Sequence, residues 1–300
     1  MSRAALLALL CAGPARAATP LELAVIDESW RVSGKVGVYA KSLETGAEAA
    51  VNADEVFPSA SLVKVPLLAV LFDRLEKGEL DYNAPLAYRS TRAYPGDDML
   101  ASFADGSTVT VSRLAFLMAS LSDNTAALWV QELDGGGEAV NRWLEAHGYK
   151  ETRVNSRTPG REAEKKLYGW GQTTPRELSR LMASIWQRDC VSRGASAEMI
   201  RVLSRSFWDG EALSVLPPTV HAISKQGAVD AARGETLVVA GSAGTYVLTA
   251  LTKGLKDTRW DYDQEGFVFL RGVSAAAWKA FNPQSPWRPV AGRGPYWKGQ

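Results

Sequence analysis

The chain is poor in the side chains from which metal centres and disulfide frameworks are built. Among 300 residues there are two cysteines, Cys11 and Cys190, and two histidines, His147 and His221, all far apart. Zinc sites draw on three or four such ligands held together, so no metal is expected. His147 precedes Gly148 at the end of a helical pattern, where an imidazole near a helix C-terminus has a structural reason to be. Charge of one sign is also lacking: 34 basic against 33 acidic residues give a net charge of +1, with no concentrated basic run. That excludes a nucleic-acid partner held through its phosphates. No apolar stretch approaches the roughly 20 residues that a membrane-spanning helix requires.

What the N-terminus does contain is Arg3, the short apolar run "AALLALLCAG" and then "ARA" at 15–17. Charge, apolar core and small-residue cleavage site are the pattern of a secretory signal, so export to the periplasm or medium is expected, with residues 1–17 removed. Cys190 is then the one cysteine of the mature chain. No intramolecular disulfide is possible, and the core must hold the fold by itself.

The mature chain opens with helical spacing over "LELAVIDESWR" and two strands, "KVGVYAKSL" and "AEAAVNA", around a tight turn. A helix is expected from Ser61 to about Glu76, ended by Gly78, then one through "TVSRLAFLMASLS" capped by Thr110 or Ser112, and one over "GGEAVNRWLEAHG". Residues 150–172 read as polar and irregular. In "TTPREL" Thr174 is a cap, Pro175 the first helical residue and Glu177 the partner in a capping box. Further helices cover "RELSRLMASIWQRD" and "SAEMIRVLSRSF". "HAISKQG", "ETLVVAGS" and "TYVLTALTKG" have strand composition, and "VSAAAWKAFN" closes as a helix before a Pro- and Trp-containing tail.

Strands at both chain ends and helices between them predict an α+β fold. One antiparallel five-stranded sheet is completed by residues 21–58 and 218–282, and it packs against a mostly helical block over 59–217, with a tail at 283–300. With neither an internal repeat nor a linker, residues 18–300 are expected to form one domain, and the cleft should lie where block meets sheet.

"FPSASLVKVPLL" sets Ser61 and Lys64 three residues apart at a helix start. Positions i and i+3 share a helix face, and a serine hydroxyl becomes a nucleophile only when a neighbouring base takes its proton. Burial or a second cation would keep the lysine neutral for part of the time. Pro66 suits an early helical position and releases the carbonyl of Leu62 from helical bonding. Ser122-Asp123-Asn124 follows an apolar helix, and "SKQG" places Lys225 and Gly227 on a strand.

Ser-x-x-Lys, Ser-Asp-Asn and Lys-x-Gly in this order resemble the penicillin-recognising serine hydrolases, class A β-lactamases and D,D-peptidases, over about residues 21–282. The resemblance implies that Ser61 is acylated, Lys64 is its base and Ser122 relays a proton to the leaving nitrogen. It implies that Asn124 holds the substrate's side-chain amide, Lys225 its carboxylate, and that Gly227 leaves room for substrate. The amides of Ser61 and Ala228 would form the oxyanion hole.

Three positions depart from the family pattern. Gln226 stands where the strand motif has Thr or Ser. "EKKLY" keeps a glutamate, Glu164, but has Tyr168 in place of an asparagine, and Leu128 replaces a second asparagine four residues after Asn124. Glu164 is the match to the water-activating glutamate of class A enzymes; Glu162 and Glu164 also suit a solvated helical turn pairing with Arg161, Lys165 and Lys166. The expected protein is a cofactor-free monomer acting on a small molecule, a β-lactam hydrolase by acyl-enzyme. The alternatives are a D,D-peptidase or esterase, or a penicillin-binding sensor that deacylates slowly.

Overall fold

The computed structural model describes residues 17–96 and 98–289. The expected signal, apart from Ala17, and residues 290–300 of the tail lie outside the described residues. The first helix, α1 (Pro20–Ser29), starts at a complete capping box: Thr19 Oγ1 accepts from the Glu22 amide at 3.1 Å and Glu22 accepts from the Thr19 amide at 2.7 Å. Strands β1 (Lys35–Ser42) and β2 (Glu48–Val51) follow, then the short β3 (Phe57–Pro58). A 3₁₀ turn, Ala60–Val63, leads into α2 (Lys64–Glu76). Strands β4 (Pro85–Ala87) and β5 (Thr108–Thr110) pair ahead of α3 (Val111–Ser120), α4 (Asn124–Leu133) and α5 (Gly136–Ala146). Next come β6 (Arg153–Val154), α6 (Glu162–Tyr168), β7 (Gly171–Thr173), α7 (Pro175–Trp186) and α8 (Arg193–Leu203). The chain ends in β8 (His221–Val229), β9 (Ala232–Gly241), β10 (Gly244–Lys253) and α9 (Glu265–Phe281).

The five long strands form one antiparallel sheet in the order β2-β1-β10-β9-β8, so the two chain ends meet where β1 pairs with β10, Lys35 opposite Lys253. The fold is the expected α+β arrangement. Both faces of the sheet are covered, which is why β9 is buried over nearly its whole length instead of alternating. On one face α1 and α9 pack around Val25, Leu237, Leu248 and Phe269. On the other the helical block, centred on α2, packs through Leu62, Leu68, Met118 and Met182 against Ile223, Val238 and Val247. Helix α2 carries buried residues around most of its circumference, as expected of a helix enclosed by others.

The structure corrects the sequence reading in four places. The Ser61 helix begins as a 3₁₀ turn and becomes α-helical only at Lys64. Residues 150–172 are not irregular: α6 lies within them, and β6 and β7 join β3 in a small antiparallel sheet. A helix absent from the sequence reading, α4, begins at Asn124, with Asp123 as its cap through a 2.7 Å bond from the Ala126 amide. The box at Thr174 is half formed: Thr174 accepts from the Glu177 amide, but the Glu177 carboxylate is taken by the loop before β6. It accepts from the amides of Lys150 at 2.6 Å and Thr152 at 2.7 Å and from the Thr152 hydroxyl at 2.7 Å.

Charge-assisted bonds from Lys150, Glu151 and Thr152 to a single carboxylate tie that loop to α7. Glu177→Ala is therefore expected to destabilise the protein by about 2 kcal/mol, read from urea unfolding, because the loop donors lose their shared acceptor. A loss below about 0.5 kcal/mol, the range of an ordinary surface change, would remove this role.

Candidate active site

The turn carrying Ser61 is held by close backbone approach. Ala60 adopts φ +44°, and the edge strand β8 passes so near that a Cβ on Gly227 would lie 3.0 Å from the Ser61 amide nitrogen and 2.8 Å from the Ser59 carbonyl oxygen. Glycine at 227 is thus required by the backbone of the Ser61 turn itself, a different reason from the substrate clearance that the family resemblance implies.

Lys64, the first residue of α2, is 1% exposed. Its Nζ lies 3.1 Å from Ser61 Oγ, 3.0 Å from Ser122 Oγ and 2.8 Å from Asn124 Oδ1, and it donates to the Ser122 carbonyl. An ammonium has three protons, one fewer than these four oxygens. A neutral amine fits the same surroundings, with two protons donated and its lone pair turned to the Ser61 hydroxyl. Burial pushes the Lys64 pKa well below the ordinary lysine value, and the nearby Lys225 charge adds to the effect; Asp98 and Asp123 oppose it.

Ser122 sits between the two lysines. Its backbone has φ +61°, an unfavourable conformation for serine, which lets both its carbonyl and its hydroxyl meet Lys64. Lys225 Nζ, from β8, lies 3.0 Å from the same hydroxyl and 2.8 Å from the Gln226 carbonyl. With both acceptor positions of the Ser122 hydroxyl facing lysines, its proton is left for a third partner in the cleft.

Lys225 is buried too, which brings its pKa down to about 7, against the raising influence of Glu235 and Glu211. Those two carboxyls are buried beside β8 and β9. Burial and the Glu211 charge push Glu235 up to about 8, while Ser224 Oγ and the Ala212 amide donate to it at 2.6 and 2.7 Å.

Two positioning residues escaped the sequence reading. Asp98 accepts from the amides of Asn124 and Thr125 at 3.0 and 2.8 Å and from the Thr125 hydroxyl at 2.9 Å, and so anchors the Ser-Asp-Asn segment from outside. Glu235 is the other. Neither belongs to a motif, and both act across long sequence separations.

Ser61, Asn124 and Ala228 open onto a cavity of about 1230 Å³. The structure joins Ser61, Lys64, Ser122, Asn124 and Lys225 in one hydrogen-bonded group. Glu164 is not brought into it. Its carboxylate lies on α6, 3.6 Å from Arg161, while Leu167 and Tyr168 of the same helix line the cavity. Glu162 faces the amide of Gly160 at 3.2 Å. Arg161 in turn donates to Asn155 Oδ1 and Gln172 Oε1. Among the described residues no group of three or more His, Cys, Asp and Glu is placed to hold a metal ion, and no helix is long and apolar enough to cross a membrane.

A serine, a buried lysine and a second serine bridging it to another lysine thus meet between a five-stranded sheet and a helical block. The chain belongs to the β-lactamase enzyme family, whose model matches residues 23–281. It is 34% identical over 188 residues to a β-lactamase of Streptomyces fradiae, covering 56% of this chain and 58% of that one. It is 30% identical over 115 residues to the β-lactamase regulatory protein BlaB of Streptomyces cacaoi, covering 38% of this chain and 36% of that one. The chain therefore spans less than two thirds of either relative. Among solved structures, PBP-A superposes with a TM-score of 0.79 at 25% identity, covering 90% of this chain and 99% of PBP-A.

A lysine with a pKa near 7 changes charge in the working range. With its pKa down at about 7, Lys225 would attract a substrate carboxylate as an ammonium below that pH and lose that attraction above it. The ratio of acylation rates for a carboxylate-bearing substrate and a neutral ester should therefore fall as pH rises from 6 to about 8, measured by stopped-flow on both. A ratio constant across that range would separate Lys225 from carboxylate capture.

Proposed function

We propose that the protein is an exported serine hydrolase that is acylated on Ser61 and hydrolyses β-lactams slowly. The observation that carries this reading is the buried Lys64 amine 3.1 Å from Ser61 Oγ, with Ser122 bridging it to Lys225. Lys64 removes the Ser61 proton as the oxygen attacks the lactam carbonyl. Negative charge on the carbonyl oxygen is taken up by the amides of Ser61 and Ala228. Ser122 passes its proton to the leaving nitrogen and is reprotonated from Lys64, 3.0 Å away. Asn124 keeps its Oδ1 on Lys64, so its amino group serves the substrate side chain. Lys225 holds the carboxylate without help from a hydroxyl at Gln226. Export rests on the N-terminal pattern of charge, apolar run and small residues.

Hydrolysis of the acyl-enzyme needs an aimed and activated water. Glu164, paired with Arg161 and outside the cavity lining, is poorly placed to supply it. That placement favours a second reading, a penicillin-binding protein or sensor in which the acyl-enzyme persists. A PBP-A variant of the same TM-score and identity holds penicillin G as an acyl-enzyme, which supports the acylation half of both readings.

Intact-mass timing after mixing with penicillin G tests these steps. The wild-type protein should gain the mass of one penicillin and lose it slowly, and Ser61→Ala should gain none. An adduct retained in Ser61→Ala would overturn the nucleophile. Glu164→Gln should change deacylation by less than about 2-fold, since removal of a working general base costs roughly 10²-fold or more. A selective loss of deacylation in that variant would make Glu164 the base after all.

A further inference from the structure

The cavity that begins at Ser61 is long and one-sided. Its lining includes Ser61, Asn124 and Ala228 but neither Ser122 nor Lys225, the residues that serve the leaving group. The space therefore lies on the acyl side. From Ala228 at the end of β8 it runs past Ala232 of β9 and Lys253 of β10 to Lys35 of β1 and Trp30 beyond α1. These strands are consecutive neighbours in the sheet and meet the cavity at the same end. Three inter-strand spacings make the trough about 14 Å long past the edge strand. A volume of about 1230 Å³ exceeds that of an ordinary small-molecule pocket.

The near part of the trough is apolar and open. Leu167 of α6, 69% exposed, and Val229, 46% exposed, line it together with Trp170 and Ser61. The far part is charged. Lys35 and Lys253 both lie on the single carboxylate of Glu55, at 3.0 and 2.8 Å, so the charged lining sums to one excess positive charge. Glu265 is not part of the lining and lies behind Ser33, whose amide and hydroxyl donate to it at 2.7 and 2.5 Å.

We infer that the acyl side of this site takes a long linear acyl group, apolar along its length and bearing a carboxylate at its far end, which Lys35 and Lys253 receive. The inference rests on the reading of Ser61 as the acylated residue and adds the shape and charge of what is transferred. In an activated ester of such an acid, the Ser61 Oγ–acyl bond forms as the acyl–aryloxy bond breaks. The aryl oxide departs, and the serine proton passes to Lys64. No further reactant is needed.

The test uses three probes on the full chain: p-nitrophenyl acetate, p-nitrophenyl decanoate and the mono-p-nitrophenyl ester of dodecanedioic acid, each below its aggregation limit. Acylation kcat/KM should rise about 10-fold or more from acetate to decanoate, as methylene groups enter the apolar trough. It should rise about 5-fold again for the diacid monoester, an advantage that salt reduces. In Lys35→Gln, a substitution at an exposed position with folding checked by circular dichroism, the ratio of diacid monoester to decanoate should fall towards about 1. Trp30→Ala should lower the decanoate-to-acetate ratio. Equal rates for acetate and decanoate would overturn the inference while leaving Ser61 acylation in place, as would a diacid monoester no faster than decanoate. Failure of all three esters to acylate Ser61 would overturn the reading of the site, and the inference with it.

Discussion

A lysine enclosed between a sheet and a helical block has to be surrounded by oxygens or surrender its charge, and the geometry around Lys64 provides for both. Four oxygens from three residues converge on one nitrogen, and that convergence dictates the strained backbone of Ser122, the position of Asn124 at a helix start and the role of Asp98 outside the ring. The second lysine follows from the same constraint. Two ammoniums on one hydroxyl would repel, so at least one is held near its neutral form, and carboxyls at Asp98, Asp123, Glu211 and Glu235 offset the repulsion from a distance. The site is an electrostatic balance spread over elements from β8 and β9 to the loop before α4.

The parts of this arrangement legible in the sequence are those written in short range. Ser61 and Lys64 share a turn, Ser122 and Asn124 share a tripeptide, and the long strands carry enough β-branched residues to declare themselves. Asp98 and Glu235 were not legible, because their importance lies in partners that only folding brings near. Helix α4 was hidden by its own cap: Asp123 ends one helical pattern and starts the next, so the polar tripeptide reads as a stop when it is also a start. Glu177 shows the same limit from the other side. Its spacing from Thr174 is that of a capping box, yet the loop before β6 outcompetes the local backbone for its carboxylate.

Glu164 shows how a short sequence spacing leaves the direction of a side chain open. The glutamate-to-leucine spacing is present, but the helix that bears it turns Leu167 and Tyr168 to the cavity and leaves the carboxylate with Arg161. Tyr168 and Leu128 occupy positions where amides would otherwise have tied such a loop to the helical block. Arg161 takes over part of that tethering through Asn155 and Gln172, and the loop acquires a wall of apolar side chains where a polar one would have faced the nucleophile.

The contact between Gly227 and the turn of residues 59–62 also bears on when the site comes into being. Strand β8 is made more than 150 residues after Ser61, and it is placed only when β9 and β10 have joined β1. Pairings of such sequence separation form late and slowly. A chain still being synthesised carries Ser61 and Lys64 but not the strand that completes their surroundings. The surroundings of the proposed nucleophile are therefore complete only once the sheet has closed.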